Sequence, residues 1–296
     1  MTMNRPVAGL MLALGCAGLF GLASAAVAAS AAVAVTHTGP ASVMLEDLSA
    51  TELRARITAG TTTVLIPIGG TEQNGPHMAL GKHNQRVKRL AARIAERLGR
   101  TVVAPGIAYV PEGAINPATQ HMRWTGTISI PEAAFEAMLE GAVRSLRQHG
   151  FLDLVLLADH GGTLKYTERV AAKLNREFAA SAAGAGGAGG RPGARVQALT
   201  EYYQVTQTDY VEALKARGFT ADEIGRHAGL ADTSLMLAID PTMVRMDVAA
   251  ARPRGAQDGV SGDPRRASAE LGRLGTERIV EASVAAITAR LRERGR

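Results

Sequence analysis

Two apolar runs that stop at glycine pairs constrain this chain more than any other feature. Thr62 to Ile68 is hydrophobic and β-type, and it ends abruptly at Gly69-Gly70. Leu154-Val-Leu-Leu-Ala158 ends in the same way, at Asp159-His160-Gly161-Gly162, ahead of a helix from about Leu164 to Ala179. Short continuous apolar runs of this kind, bounded by turn residues, read as strands. Between and after them, helical patterns alternate with further strands. Gln85 to Leu98 places Val87, Leu90, Ala91, Ile94 and Leu98 on one face, and Thr101 to Ala104 reads as the next strand. Ser129-Ile-Pro-Glu132 has the form of a capping box with proline in the first turn. It opens a helix to about Gln148 whose inner face would be Phe135, Met138, Leu139, Ala142, Val143 and Leu146. A strand near Val196 to Tyr202 follows, and a last long helix from Asp263-Pro264 carries Val280, Val284, Ile287 and Leu291. This alternation predicts an α/β fold, a three-layer α/β/α sandwich around a largely parallel central sheet.

In such a sheet, ligands collect beyond the carboxyl ends of the strands. The first run delivers Glu72, Asn74, His77 and His83 there, and the second delivers His160. A third segment, His227-Ala-Gly-Leu-Ala-Asp232, and a fourth, His121-Met-Arg-Trp-Thr-Gly-Thr127, add two more histidines and a carboxylate. Five of the seven histidines fall in these four segments, with only His37 and His149 elsewhere. Imidazoles and carboxylates in short braced loops are the donor set of a divalent metal site.

The first 29 residues read as a secretory signal peptide and residues 30–296 as one domain. Arg5 precedes an apolar run from Val7 to Leu22, and Ala23-Ser24-Ala25 has the small-x-small form of a cleavage site, with a rival at Ala26-Val27-Ala28. The expected location is a bacterial periplasm, with no membrane attachment once the leader is removed. Cys16 is the single cysteine. Ala13 stands three residues before Cys16, where a lipidated cysteine usually has leucine, so a lipoprotein is not expected. The mature chain then has no thiol, and any metal is held by His, Asp, Glu and water. The formal charge of +6 falls to about +5 without Arg5. Its source is basic helix residues such as Arg86, Lys88, Arg89, Arg93 and Arg97, read as a solvated face. Aromatic residues make up only 4% of the chain, which argues against a nucleic-acid surface. The stretch Ala179 to Gly193, almost wholly Ala and Gly, reads as a mobile loop.

The four segments, in this order, resemble the creatininase (creatinine amidohydrolase) family. Its opening motif, Gly-Ser-Thr-Glu-Gln-His-Gly-Pro-His-Leu-Pro-Leu-x-x-Asp, corresponds to Gly69-Gly-Thr-Glu-Gln-Asn-Gly-Pro-His-Met-Ala-Leu-Gly-Lys-His83. Asn-Gly-His-Gly-Gly-Asn corresponds to Ala158-Asp-His-Gly-Gly-Thr163. His-x-x-Phe-Pro-Gly-Thr corresponds to His121-Met-Arg-Trp-Thr-Gly-Thr127, and His-Ala-Gly-x-x-Glu-Thr-Ser to His227-Ala-Gly-Leu-Ala-Asp-Thr-Ser234. Gly259-Val-Ser-Gly-Asp-Pro264 looks like the closing segment. The resemblance spans about Leu45 to Ile287.

The resemblance implies an amidohydrolase in which two divalent metals, bridged by the Asp of the first motif, activate water to attack a cyclic amide. Glu72 and His160 are retained as ligands. Asn74 replaces a ligand His, His83 replaces the bridging Asp, Gly162 replaces a glutamate ligand, and Asp232 stands for the Glu of Glu-Thr-Ser. A carboxylate can bridge two cations, whereas neutral imidazole offers one lone pair. The expected site therefore holds a single tight zinc, manganese or iron ion among Glu72, His83, His160 and Asp232, with His77 as a further ligand or donor. The alternative is a site that His83 repacks yet leaves binuclear. His227 takes the position of the family's proton-transferring histidine. His121 and Trp124 are expected to line the pocket from the Pro111 to Thr125 loop, with Asn74, Gly161 and Gly162 facing a small-molecule substrate. With Arg226 where creatininase has a glutamate, the substrate need not be creatinine. The resemblance also implies a homo-oligomer, a hexamer. A fold retained for metal or small-molecule binding, without turnover, is the reading from another class.

Overall fold

The computed structural model describes residues 42–184, 193–253 and 257–294. The leader, residues 1–29, and residues 185–192 of the Ala/Gly run lie outside them. The central sheet has four strands, β1 (Thr63–Ile68), β2 (Thr101–Val103), β3 (Asp153–Ala158) and β4 (Arg195–Ala198). They stand in the order β2-β1-β3-β4 and all pair in parallel, with Thr63 opposite both Thr101 and Asp153.

Every residue of β1 and β3 is buried, as expected for strands covered on both faces. Side chains alternate between the two faces with period two. Leu65, Val103, Val155 and Leu157 meet one helical layer, made of α2 (Lys82–Leu98), α5 (Glu201–Gln207), α6 (Asp209–Lys215), α8 (Leu230–Ile239) and α10 (Ala269–Arg294). Val64, Ile66, Ile68, Leu154 and Leu156 meet the other, formed chiefly by α3 (Glu132–Gln148) and α4 (Leu164–Gly184). With the shorter helices α1 (Ala50–Thr58), α7 (Ala221–Ile224) and α9 (Met246–Ala251), the result is a three-layer α/β/α sandwich. From β1 the chain crosses to β2 on one side and returns to β3 on the other. The strand order therefore reverses between β1 and β3, where such sheets open a crevice for ligands. Among the described residues, no helix is long and apolar enough to cross a membrane.

Several local expectations are corrected. The segment Val196 to Tyr202 is strand only as far as Ala198, and a helix begins at Glu201. Tyr202 is buried in the core beside α2 and α10, and its hydroxyl donates to Asp159 Oδ2 at 2.6 Å. Ser129 does not cap α3. Its hydroxyl accepts from Glu112 N and donates to Gly113 O, tying the long β2–α3 connection to the helix entrance. Met138 is exposed rather than inward. Helix α2 starts at Lys82, three residues early, and Lys82 and Arg86, on the row that continues to Leu90, are both buried. Arg86 is thus no part of a solvated stripe. Only Lys88, Arg89, Arg93 and Arg97 face outward, paired with Glu46, Asp240 and Glu277. Helix α4 continues to Gly184, five residues past Ala179, through alanines that favour helix.

Candidate metal centre

Beyond β1 the backbone is pressed against the start of α2. A Cβ on Gly69 would lie 2.1 Å from Asn84 Oδ1 and 2.9 Å from Asn84 Cα, so only glycine fits. Gly70 N donates to the same Asn84 oxygen. This fixed turn places Glu72 in the crevice with no solvent exposure. At the end of β3, Asp159 N donates to Ile68 O, and the following residue, His160, projects over the sheet edge. A Cβ on Gly162 would come within 2.7 Å of His160 Cε1, so the missing side chain is what gives the ring its place.

The connection between β2 and α3 brings in Glu112 and His121. One ligand atom from each of Glu72, Glu112, His121 and His160 lies within 4.8 Å of all the others. His160 Nε2 is 3.4 Å from Glu72 Oε2 and 3.3 Å from Glu112 Oε2, and His121 Nε2 is 3.3 Å from Glu72 Oε2. Glu72 Oε2, both Glu112 oxygens and His160 Nδ1 are buried without a hydrogen-bond partner. Buried polar atoms are nearly always paired, and leaving a carboxylate unpaired is costly. Burial, followed by the charge of Glu72, pushes the Glu112 carboxyl up to about 9, with Lys82 opposing. Burial would also raise Glu72, but Lys82, His83 and the nearby His160 ring outweigh it and hold Glu72 well below the usual carboxylate range. Two carboxylates and two imidazoles converging on one point, with orphaned atoms between them, fit a divalent cation such as zinc or manganese.

The other expected ligands are placed differently. His83 lies between two carboxylates, with Nε2 2.7 Å from Glu72 Oε1 and Nδ1 2.5 Å from Asp159 Oδ1. Arg86 donates from Nε to both Asp159 oxygens and from a terminal nitrogen to Asp232 Oδ1 at 2.9 Å. Lys82 Nζ takes Asp232 Oδ2 at 3.1 Å and lies 3.4 Å from Glu72 Oε1. Asp232 is therefore engaged by two side-chain cations. His77 is fully buried, with Nε2 3.0 Å from Thr233 Oγ1. The sequence-derived ligand set is thus split. Glu72 and His160 converge, while His83, Asp232 and His77 lie outside the convergent group. Asp159 and Asp232 share one electrostatic logic. Burial raises both carboxyls, yet Arg86 and His83 hold Asp159 low, and Lys82 and Arg86 hold Asp232 low.

His227 is positioned by its backbone. His227 N donates to Ser261 O and Ser261 N to His227 O, and the next residue, Ala228, adopts a left-handed φ of 53°. His227 Nε2 is 2.8 Å from the carbonyl oxygen of Gln73, which can only accept, so that nitrogen bears the hydrogen. Nδ1 then presents its lone pair 3.6 Å from Glu72 Oε1. Burial, then Lys82, pulls the ring down to about 4, so it is neutral at pH 7. The Gln73 amide donates to Gly259 O and stands 3.2 Å from His121 Nδ1.

A cavity of about 260 Å³ opens onto this group, lined by Glu72, His121, His160, His227, Asp232 and Arg226 among others. Gly161 and Gly162 line it too. Asn74 does not, because it is buried and its amide donates to Glu72 O and Ala79 O, which braces the loop. Trp124 stands outside the lining and is 37% exposed. A larger hollow of about 780 Å³ lies against the same His160-Gly161-Gly162 turn. The sequence reading missed Glu112, Lys82 and Gln73. Glu112 had a signal, a single carboxylate between Pro111 and Gly113 in the very loop expected to line the pocket.

Comparison with known proteins follows the same lines. Residues 46–287 match the creatininase family, described as creatinine amidohydrolase. Creatinine amidohydrolase of Pseudomonas putida is 27% identical over 206 residues, 70% of this chain and 75% of that protein. The mycofactocin precursor peptide peptidase of Mycolicibacterium smegmatis is 33% identical over 119 residues, 38% of this chain and 45% of the peptidase. A manganese creatininase structure superposes with a TM-score of 0.70 at 26% identity, covering 84% of this chain and 99% of that one. A zinc–zinc form of a creatininase mutant gives 0.68 at 26% identity, covering 85% and 99%. With the match running from the first turn to the last helix, over the sandwich and crevice described above, the chain belongs to the creatininase family of hydrolases.

Proposed function

We propose that this protein is a metal-dependent amidohydrolase that cleaves a C–N bond of a small amide, lactam or formamide. The observation that supports this best is the convergence of Glu72, Glu112, His121 and His160, with unpartnered oxygens, three of which (Glu72, His121 and His160) line an open cavity. These four residues would hold one divalent ion, zinc or manganese as in the related structures. When bound, such an ion polarises a carbonyl and lowers the pKa of coordinated water toward ~7. The remaining tasks fall to the chain. His227, neutral and with Nδ1 turned to the crevice, takes a proton on the Glu72 side and delivers it to the leaving nitrogen. Gln73 fixes its tautomer through the backbone carbonyl, and its side chain orders His121. Arg226, exposed at the cavity wall, places a cation where an electronegative substrate group would rest. The cavity volume suits a small molecule.

Metal analysis of the purified chain tests this reading. About one zinc or manganese ion per chain is expected, with amide hydrolysis lost on chelation and restored by the ion. A chain that retains no ion, or whose hydrolysis ignores chelators, would overturn it. An ion retained without hydrolysis of any amide in a broad panel would favour a binding role. The proposal extends to assembly and location. The family supports a homo-hexamer, and a monomeric mass in light scattering at micromolar concentration would refute it. The apolar N-terminal segment supports export to the periplasm.

A further inference from the structure

We propose that Lys82 is a built-in cation that takes the place of a second metal ion, so that the centre is mononuclear by construction. This inference rests on the metal reading above. Lys82 is the first residue of α2 and is fully buried, a rare state for lysine that requires paired charges. Its ammonium lies between Glu72 Oε1 and Asp232 Oδ2, at 3.4 and 3.1 Å. Arg86, one turn later on the same face, takes the other Asp232 oxygen and clamps Asp159.

Glu72 thereby acquires two distinct sides. Oε1 is turned toward Lys82, His83 and the Nδ1 of His227. Oε2 is turned toward His121 and His160 and has no hydrogen-bond partner. One side is neutralised by the chain and the other is left for an ion. A second divalent cation on the Oε1 side would meet the ammonium at short range in a buried, weakly screened setting, and like charges there repel strongly. It would also find Asp232 already saturated.

The sequence difference points the same way. Relative to the family motif, this chain loses a carboxylate at position 83 and carries an ammonium at position 82, a position the motif leaves open. A bridging anion is thus replaced by a neighbouring cation. A zinc–zinc form exists among the related structures, so the fold can accommodate two ions where the side chains allow it. Here the second charge is covalently attached.

The test is metal stoichiometry. Native protein and variants are saturated with manganese or zinc, desalted and assayed for bound ion by mass spectrometry. The native chain and Lys82→Arg should each hold one ion. Lys82→Gln removes the charge but keeps a donor toward Asp232, and it should hold a second, weaker ion. Two ions in the native chain would overturn the proposal while leaving the metal reading intact. No ion in the native chain would overturn both. A folded Lys82→Gln variant that still holds one ion would overturn it as well. If Lys82→Gln does not fold in chelator, refolding in manganese should recover it with two ions, and failure to recover there would count against the proposal.

Discussion

Alanine at His160 is expected to strip the protein of its divalent ion, whereas alanine at His227 should leave the ion bound and slow turnover. His160 is placed by a rigid strand end and a glycine pair, and its Nε2 is the atom that approaches both Glu72 and Glu112. Gly162, two positions on, has no side chain to offer in its stead. His227 has another geometry. Its Nε2 is tied to Gln73 O, and only Nδ1 looks into the crevice. Removing a group that moves a proton typically costs about 10²–10⁴-fold in rate. Metal content and kcat, measured on the same two preparations, separate the roles. Equal metal loss in both variants would mean that His227 helps to build the site rather than serve it. Full metal retention in His160→Ala would remove His160 from the ligand set.

Arg86→Leu is expected to be the most damaging single substitution in the described fold. The guanidinium is buried and satisfies Asp159 with paired hydrogen bonds and Asp232 with another. Removing it leaves two carboxylates in the interior with reduced compensation. Breaking a buried ion pair from one side costs about 3–5 kcal/mol. Urea unfolding of metal-free protein would show this as a lower midpoint, and a change below about 1 kcal/mol would contradict the assignment. The same variant should respond differently to acid. Asp159 and Asp232 are held low in the folded chain, so their contribution is present above the unfolded value near ~4 and is lost as pH falls through the folded values. Without Arg86 much of that depression disappears. The variant should therefore lose less stability than the native chain on acidification from pH ~5 to ~3.

The strands and the crevice were legible because apolar runs ending in glycine pairs leave few alternatives. Thr62 to Ile68 and Leu154 to Ala158 became β1 and β3, and the polar residues after them met at the switch point. What was not legible depended on distant partners. Lys82 and Arg86 lie on the row of α2 that continues to Leu90, but the carboxylates that let their charges be buried, Asp159 and Asp232, are far away in sequence. Tyr202 read as strand because its neighbours are β-formers, yet its place was decided by the core and by Asp159. Glu112 was hidden in an irregular connection, held at its backbone by the hydroxyl of Ser129, 17 residues further along. A tie across that distance shows only once the chain has folded.

The resident cations have a consequence for how the protein meets its metal. Lys82, Arg86 and His83 already face Glu72, Asp159 and Asp232 inside the crevice. Much of the charge needed to hold the two core strands, α2 and α8 together is therefore synthesised with the chain. The chain is expected to fold in chelator, with a circular dichroism spectrum close to that of the loaded protein, and to take up its ion as a separate, later event.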